Sequence, residues 1–337
     1  MVNFDHKFGE GNSVTAVAIL GQGQVGLAVA EILRARGQHQ VLGPFGRSEA
    51  DLATRSKADV VLIATTTRLA DVAQHVEEAV TCGSNVLVTA EEAADPYLAD
   101  AEIAIRLDLL AREHDVSICG TGVNPGLIFD ALVLTLLGAH EANVDIVVRR
   151  TVDISGFGGT VLRRIGIGLS PDEFGTGVSS GSVLGHAGFP QSMSLVAKAI
   201  GIVIDQIDRD LSPVFAITQT VLPNGIVIAP GQTVGVDQTY AAIVQGRAWF
   251  TSGFYGHVDL TSTGRKPSDV IEFWEDGELV RTFSATPGIG AQSGSQNVIT
   301  NSIDRILRAQ PGWISVADLP PAFPSRVYGH HVKGTSG

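Results

Sequence analysis

The sequence predicts an α/β protein in two parts: a doubly wound parallel sheet first, then an α+β portion with a mostly antiparallel sheet. Three observations carry that expectation. The β-branched run Val14–Leu20 ends directly in Gly21-Gln22-Gly23-Gln24-Val25-Gly26, with helical spacing after it. Short, fully apolar runs then alternate with helix-periodic ones as far as Cys119, the grammar of a parallel sheet with crossover helices. From Asn143 the period changes to two, Val144, Ile146 and Val148 alternating with Asp145, Val147 and Arg149.

Taken in order, Val25, Ala28, Val29, Ile32 and Leu33 repeat on one helical face until Gly37 stops the helix. Strand, glycine turn and helix together make G-x-G-x-x-G a dinucleotide-binding fingerprint of the Rossmann type. Gly21 permits the tight turn, Gly23 lets a pyrophosphate approach the backbone, and Gly26 lets helix and strand pack closely. Free N–H groups at the helix start, from Gln22 to Val25, would face the phosphates. Gln40–Leu42 is a second strand. Beyond it, about twenty positions past the glycines, an NAD-binding protein would carry an acidic residue. Here stand Gly46, Arg47 and Ser48, a guanidinium and a hydroxyl suited to a 2′-phosphate, so NADP is expected. Glu49 and Asp51 just beyond keep NAD open, and Arg47 as a solvated loop cation is the plain alternative.

Asp59–Ala64 is a buried strand, with Thr65, Thr66 and Thr67 at its carboxyl end, where open α/β sheets place ligands. Ala64, Thr65, Thr66, Thr89 at the end of the next strand (Asn85–Thr89) and Asn124 are therefore cofactor-side candidates; the threonines could equally cap the helix Leu69–Cys82. A helix over Tyr97–His114 and a strand over Val116–Cys119 follow. The loop Gly120–Gly126 precedes an apolar helix, Leu127–Leu137. Later strands are expected near Val214–Leu222, Thr233–Gln245, Ala248–Leu260, Val270–Trp274 and Leu279–Ala285. Between them, Ile154–Pro190 is long, glycine-rich and weakly periodic, which suggests a segment covering a site. A last helix, about Ser295–Arg308, should return to the first part. The division expected is 1–138 with 295–327, then 139–294, with 328–337 as a flexible tail.

Composition excludes several classes. Formal net charge is −12, and no basic stripe offsets phosphate repulsion, so nucleic acid is not an expected partner. Cys82 and Cys119 form no disulfide or metal framework. Leu127–Ala139 is too short to span a bilayer, and Met1–Gly11 lacks a basic-then-apolar leader pattern, which together suggest a cytoplasmic protein without a membrane partner.

A nucleotide part, a sheet part and a glycine-rich insert suggest hydride transfer to a small molecule bound between them. Glu91 and Glu92, just past a strand's carboxyl end, could carry the proton; adjacent carboxylates in a closed cleft should push at least one pKa upward. Capping the next helix is the competing role.

Ala90-Glu91-Glu92, Gly120–Gly126, Arg164–Phe174, Gly185–Pro190, Asn301-Ser302-Ile303 and Gln310–Trp313 with Asp318-Leu319-Pro320 occur in that order. Together they resemble the 2,4-diaminopentanoate dehydrogenases and related native amine dehydrogenases, of the dihydrodipicolinate reductase-like group. The resemblance implies NAD(P)-dependent interconversion of an amine with a ketone or aldehyde plus ammonia, through an iminium, with a carboxylate of the Glu-Glu pair as the catalytic residue. Alignment with the Thr-Ala-Asn-Lys turn of homoserine dehydrogenase-like proteins favours Glu92, with Glu91 second. One departure is Asp95-Pro96-Tyr97, where the family has Tyr-Pro. A substrate carboxylate would need a clamp from Arg149, Arg150, Arg163 or Arg164; a plain ketone would want an apolar pocket, for which Phe129, Phe157, Phe174, Phe189 and Tyr255 are candidates. His186 is placed either at the substrate or in ordering its own loop. The alternatives are 2,4-diaminopentanoate-type amino-acid deamination or a non-catalytic NADP-binding regulator. His330-His331 lacks the context of a dihydrodipicolinate reductase, and Cys119 has no neighbouring histidine to make it a nucleophile. An open sheet face suggests a homodimer.

Overall fold

A computed structural model describes residues 14–140 and 144–324. The reading of 328–337 as a tail, and that of the first eleven residues, lie outside the described residues.

The first half builds a six-stranded parallel sheet. β1 (Ala16–Leu20) enters the glycine turn and α1 (Gln24–Arg36) leaves it, ending where Gly37 takes the left-handed conformation. β2 (Gln40–Phe45), α2 (Ala50–Thr54), β3 (Val60–Ile63), α3 (Leu69–Thr81) and β4 (Asn85–Val88) follow. The helix expected over Tyr97–His114 is split into α4 (Pro96–Ala99) and α5 (Ala101–Glu113). Asp100 breaks it, because its backbone is extended and its carboxylate accepts from Ile103 N to cap the second piece. β5 (Ser117–Gly120) completes the run.

α6 (Ala131–Leu137) is shorter than the expected Leu127–Leu137, since Asp130 caps its start. Its residues, with Ile128 and Phe129, pack into the core of the second sheet rather than the first. That sheet begins with β6 (Asp145–Asp153). The glycine-rich insert is more structured than its weak periodicity suggests. It contains α7 (Gly159–Ile165) and α8 (Pro171–Ser180) and leads into α9 (Phe189–Ile200), which the sequence reading missed. In α8, Ser170 and Glu173 form a reciprocal cap, and Gly177 lies against Val183, so the glycines that blur its periodicity serve packing.

β7 (Gln206–Phe215) replaces the strand expected from Val214. It is an edge strand carrying Asp208, Arg209 and Asp210, and such charges hide the alternation of a half-buried strand. A small hairpin, β8 (Thr220–Val221) and β9 (Val227–Ile228), leads to β10 (Thr233–Val244), β11 (Arg247–His257), β12 (Ser268–Glu275) and β13 (Glu278–Ala285). Strand order is β13-β12-β6-β11-β10-β7, and only β6 with β11 is parallel, so the sheet is mostly antiparallel as expected.

α10 (Ala291–Ile306) then returns to the first sheet, where Ile299, Ile303 and Ile306 pack with Val29 and Leu33 of α1. β14 (Gly312–Ile314), unforeseen in the sequence, adds a parallel edge beside β5, giving the order β14-β5-β4-β3-β1-β2. α3 and α5 cover the opposite face. The sheet is doubly wound, and α7 and α10 lie along its carboxyl edge. Among the described residues no helix is long and apolar enough to cross a membrane.

Candidate active site

The cleft lies along the carboxyl edge of the parallel sheet and has a volume of about 660 Å³. Its floor begins at the glycine turn. A side chain at Gly26 would run into the carbonyl of Gly21, and one at Gly21 into that of Ala64, so these two glycines pack the turn and do not line the cleft. Gly23 meets nothing within 4 Å and lies open to the cleft, with Gln24 and Val25 beside it. Gln22 turns away and donates from Nε2 to Pro44 O at 3.3 Å. At the far end, exposed Arg47 reaches the cleft and Ser48 does not. The Glu49 carboxylate accepts from Gly46 N at 3.2 Å, closing its own turn.

Ala64, Thr65, Thr66, Thr67 and Thr89 form the edge itself, and Thr121, Asn124 and Pro125 the next loop. The open backbone at Gly23 and buried, unpartnered polar atoms on Thr121 and Asn124 fit a bound dinucleotide. The insert closes the other wall with Gly158, Thr160, Val161 and Arg164, and α10 contributes Ser295 and Ile299. Of these wall residues, sequence reasoning singled out Arg164 but not Gly158, Thr160 or Val161, nor Ser295 and Ile299 of α10. The glycine pair opening a short helix was the available sign for α7; nothing in α10 gave one.

The two glutamates part company. They sit on a 3-10 turn, Glu91–Ala94, where successive side chains diverge by roughly 120°. Glu91 enters the cleft. Arg164 donates to it from Nη2 to Oε1 at 3.2 Å and to the Thr67 hydroxyl from Nη1. Loss of water pushes the Glu91 carboxyl above its usual range, while the Arg164 charge and hydrogen bonds pull it back. Glu92 points away: Oε2 accepts from Leu69 N at 2.7 Å, capping α3. The preference for Glu92 as the carboxylate in the cleft is therefore reversed by geometry.

The aromatic residues expected to line a substrate pocket are not brought to this cleft. Phe129 is wholly buried, edge-on to Phe189 at 4.9 Å, and Phe174 packs against Gly166 in the same core. Phe157 borders a separate depression with Gly290 and Gln292. Tyr255 lies under Arg265, 3.9 Å from its ring centroid, on the sheet's outer face. Phe129 and Phe174 fill a core, the commoner fate of such residues. His186 orders its loop: its backbone N donates to Gln238 Oε1 at 2.8 Å and Nδ1 meets Ala187 O at 2.7 Å, with the ring between Phe189 and Phe254. Burial and then the nearby Arg164 charge hold its pKa down at about 3, so the ring is neutral. Of the four arginines considered as a clamp, only Arg164 lines the cleft. Arg149 pairs with Glu272, Arg150 with buried Asp269, and Arg163 donates to Thr160 Oγ1.

A glycine turn and a desolvated carboxylate on the two sides of one cleft, beneath a doubly wound sheet, define a dinucleotide-dependent dehydrogenase. Comparison with known proteins agrees. A sequence profile of the 2,4-diaminopentanoate dehydrogenase C-terminal domain matches residues 127–331. The chain is 29% identical over 332 residues to the 2,4-diaminopentanoate dehydrogenase of Acetoanaerobium sticklandii, covering 90% of this chain and 93% of that one. An amine dehydrogenase from Mycobacterium smegmatis superposes with a TM-score of 0.79 at 18% identity, over 93% of this chain and 98% of that one. A probable dehydrogenase from Thermotoga maritima gives 0.51 at 11% identity, over 90% and 92%. These two show the fold. The chain belongs to the 2,4-diaminopentanoate dehydrogenase family, which makes it an enzyme, an NAD(P)-dependent dehydrogenase acting on an amino group.

Proposed function

We infer that the protein interconverts an amine with a ketone or aldehyde plus ammonia, hydride passing between the substrate carbon and NADP(H), with Glu91 at the amino nitrogen. One observation carries the reading: Glu91 is desolvated, yet held by Arg164, in the same cleft as the glycine turn. The nicotinamide supplies or accepts hydride when bound; the chain's own groups do the rest. A carboxylate with a raised pKa is a better base than an exposed one. In the oxidative direction it takes a proton from the substrate ammonium, freeing the lone pair that forms the C=N bond as hydride leaves; water then adds to the iminium carbon and ammonia departs, leaving the carbonyl. In the reductive direction it faces the iminium and stabilises its positive charge before hydride arrives. Thr67 and Arg164 fix the carboxylate, so its direction costs no reorganisation.

NADP rather than NAD is supported by the Arg47 guanidinium at the cleft's adenosine end and by Glu49 being engaged in its own turn. A second reading, oxidative deamination of 2,4-diaminopentanoate itself, is favoured by Arg164, which could meet a substrate carboxylate beside Glu91, and by the name of the A. sticklandii relative. A homodimer through the outer face of the second sheet and a cytoplasmic location complete the proposal.

NADPH oxidation is to be followed across small ketones and aldehydes with and without ammonia, and NADP reduction with 2,4-diaminopentanoate and simple amines. Turnover that needs ammonia supports the reading; equal turnover without it overturns it. A marked preference for 2,4-diaminopentanoate selects the second substrate reading.

A further inference from the structure

The loop 120–126 carries three polar atoms that nothing among the described residues satisfies. They are Nδ2 and Oδ1 of Asn124 and the hydroxyl of Thr121. Both residues line the cleft and are buried, at 8% and 5% exposure. Buried polar groups are rarely left unpaired, so three in one loop point to a ligand that pairs them.

The loop is firmly placed. Val123 N donates to Ser295 Oγ at 3.3 Å on one side. On the other, Gly126 N and Ser192 Oγ donate to buried Asp130 Oδ2 at 2.7 and 2.8 Å. Pro125 abuts Gly188, and Gly188 in turn abuts the Glu91 side chain, so the unpaired atoms and the carboxylate share one end of the cleft.

The inventory of donors and acceptors selects the ligand. A carboxylate would leave the Asn124 oxygen unpaired, and an ammonium would leave its nitrogen unpaired. A primary carboxamide offers both functions at once, and its second N–H has the Thr121 oxygen as acceptor. We propose that Asn124, with Thr121, receives the carboxamide of the nicotinamide ring and thereby fixes which ring face turns toward Glu91. This rests on the dehydrogenase reading above.

The test reads binding of the intact protein, not turnover. Displacement of NADPH, followed by its fluorescence, ranks NADP, its 3-acetylpyridine analogue (a methyl in place of the amide NH2) and 2′-phospho-ADP-ribose, which lacks the ring. The unaltered protein should prefer NADP to the acetylpyridine analogue by about tenfold, the size expected from one or two buried hydrogen bonds. In Asn124→Leu that preference should shrink to within about twofold, while 2′-phospho-ADP-ribose binds as before and shows the cleft intact. Should the leucine variant fail to fold, Asn124→Asp, the same shape without the donor, still accepts from the amide NH2 but loses the bond to the carbonyl, so it should weaken NADP and the acetylpyridine analogue alike, by about fivefold against 2′-phospho-ADP-ribose. Retained preference in a folded leucine variant, or unchanged binding of both nicotinamide dinucleotides in a folded aspartate variant, overturns the proposal and leaves the dehydrogenase reading standing. Failure of the unaltered protein to bind any nicotinamide dinucleotide overturns both.

Discussion

Glu91 and Glu92 show how much one residue's direction decides. Glu91→Gln keeps the shape and removes the base, so kcat should fall by about 10²–10⁴-fold while NADPH affinity changes little. Glu92→Ala should leave kcat within a few-fold and lower stability by about 1 kcal/mol through the lost cap on α3, read from thermal melts. The reverse pattern would return the chemistry to Glu92. The raised pKa of Glu91 has a defined sign in the pH profile. As pH falls, the carboxylate takes up its proton earlier than an ordinary glutamate, so the acid limb of kcat/KM should lie above the usual carboxylate range. Arg164→Met removes the pull downward and should move the limb higher still; a downward shift would contradict the assigned pairing. His186, held at about 3, should add no limb of its own near neutrality. At the cleft's other end, Arg47→Ala should weaken NADPH about tenfold and leave NADH unchanged, as titrations of the two cofactors would show.

At the scale of elements, the loop between β5 and α6 is held by a buried side chain that no motif advertises. Asp130 accepts from Gly126 N, Ala131 N and Ser192 Oγ, tying the cleft loop to α6 and α9. Asp130→Ala should cost about 2–4 kcal/mol in urea unfolding, since it leaves several buried donors unpaired, and Ser192→Ala about 1 kcal/mol. Equal costs for the two would argue against a shared carboxylate. Sequence pattern suffices where one physical signal dominates: β1 and β3 are apolar throughout because both faces are covered, and β11 and β12 alternate because one face is. It fails where signals mix. α9 opens on Phe189-Pro190 after a glycine-rich run and buries Gln191, Ser192 and Ser194, so its polar residues do not mark a solvent face, and β7 hides its pattern beneath edge charges. Residues 128–137 follow the first sheet in sequence and join the second sheet's core in space.

At the scale of the molecule, the second sheet uses one face for the core around Phe189, Phe250 and Phe254 and leaves the other half-covered. That outer face carries Val147, Thr251, Gly253 and Val270 beside the Arg149–Glu272 pair. A second copy would cover it, and sedimentation should then give twice the 35.3 kDa chain mass. Gly253→Glu should return a monomer without unfolding it, and a monomeric unaltered protein would sink the homodimer.

The sequence by itself determined the order of the parts, the glycine turn, the threonine edge and the family, because these depend on local backbone freedom and on short periodic patterns. Only the tertiary structure decided which candidates share the cleft. Which glutamate enters the cleft depends on a 3-10 turn, and its partner Arg164 lies 73 residues away in sequence. Phe129, Phe174 and Phe189 went to a core, since an apolar ring gains as much from a packed interior as from a pocket wall and its sequence does not say which. Desolvation, charge pairing and unpaired buried atoms are properties of neighbours in space, and so appear only once the chain has folded.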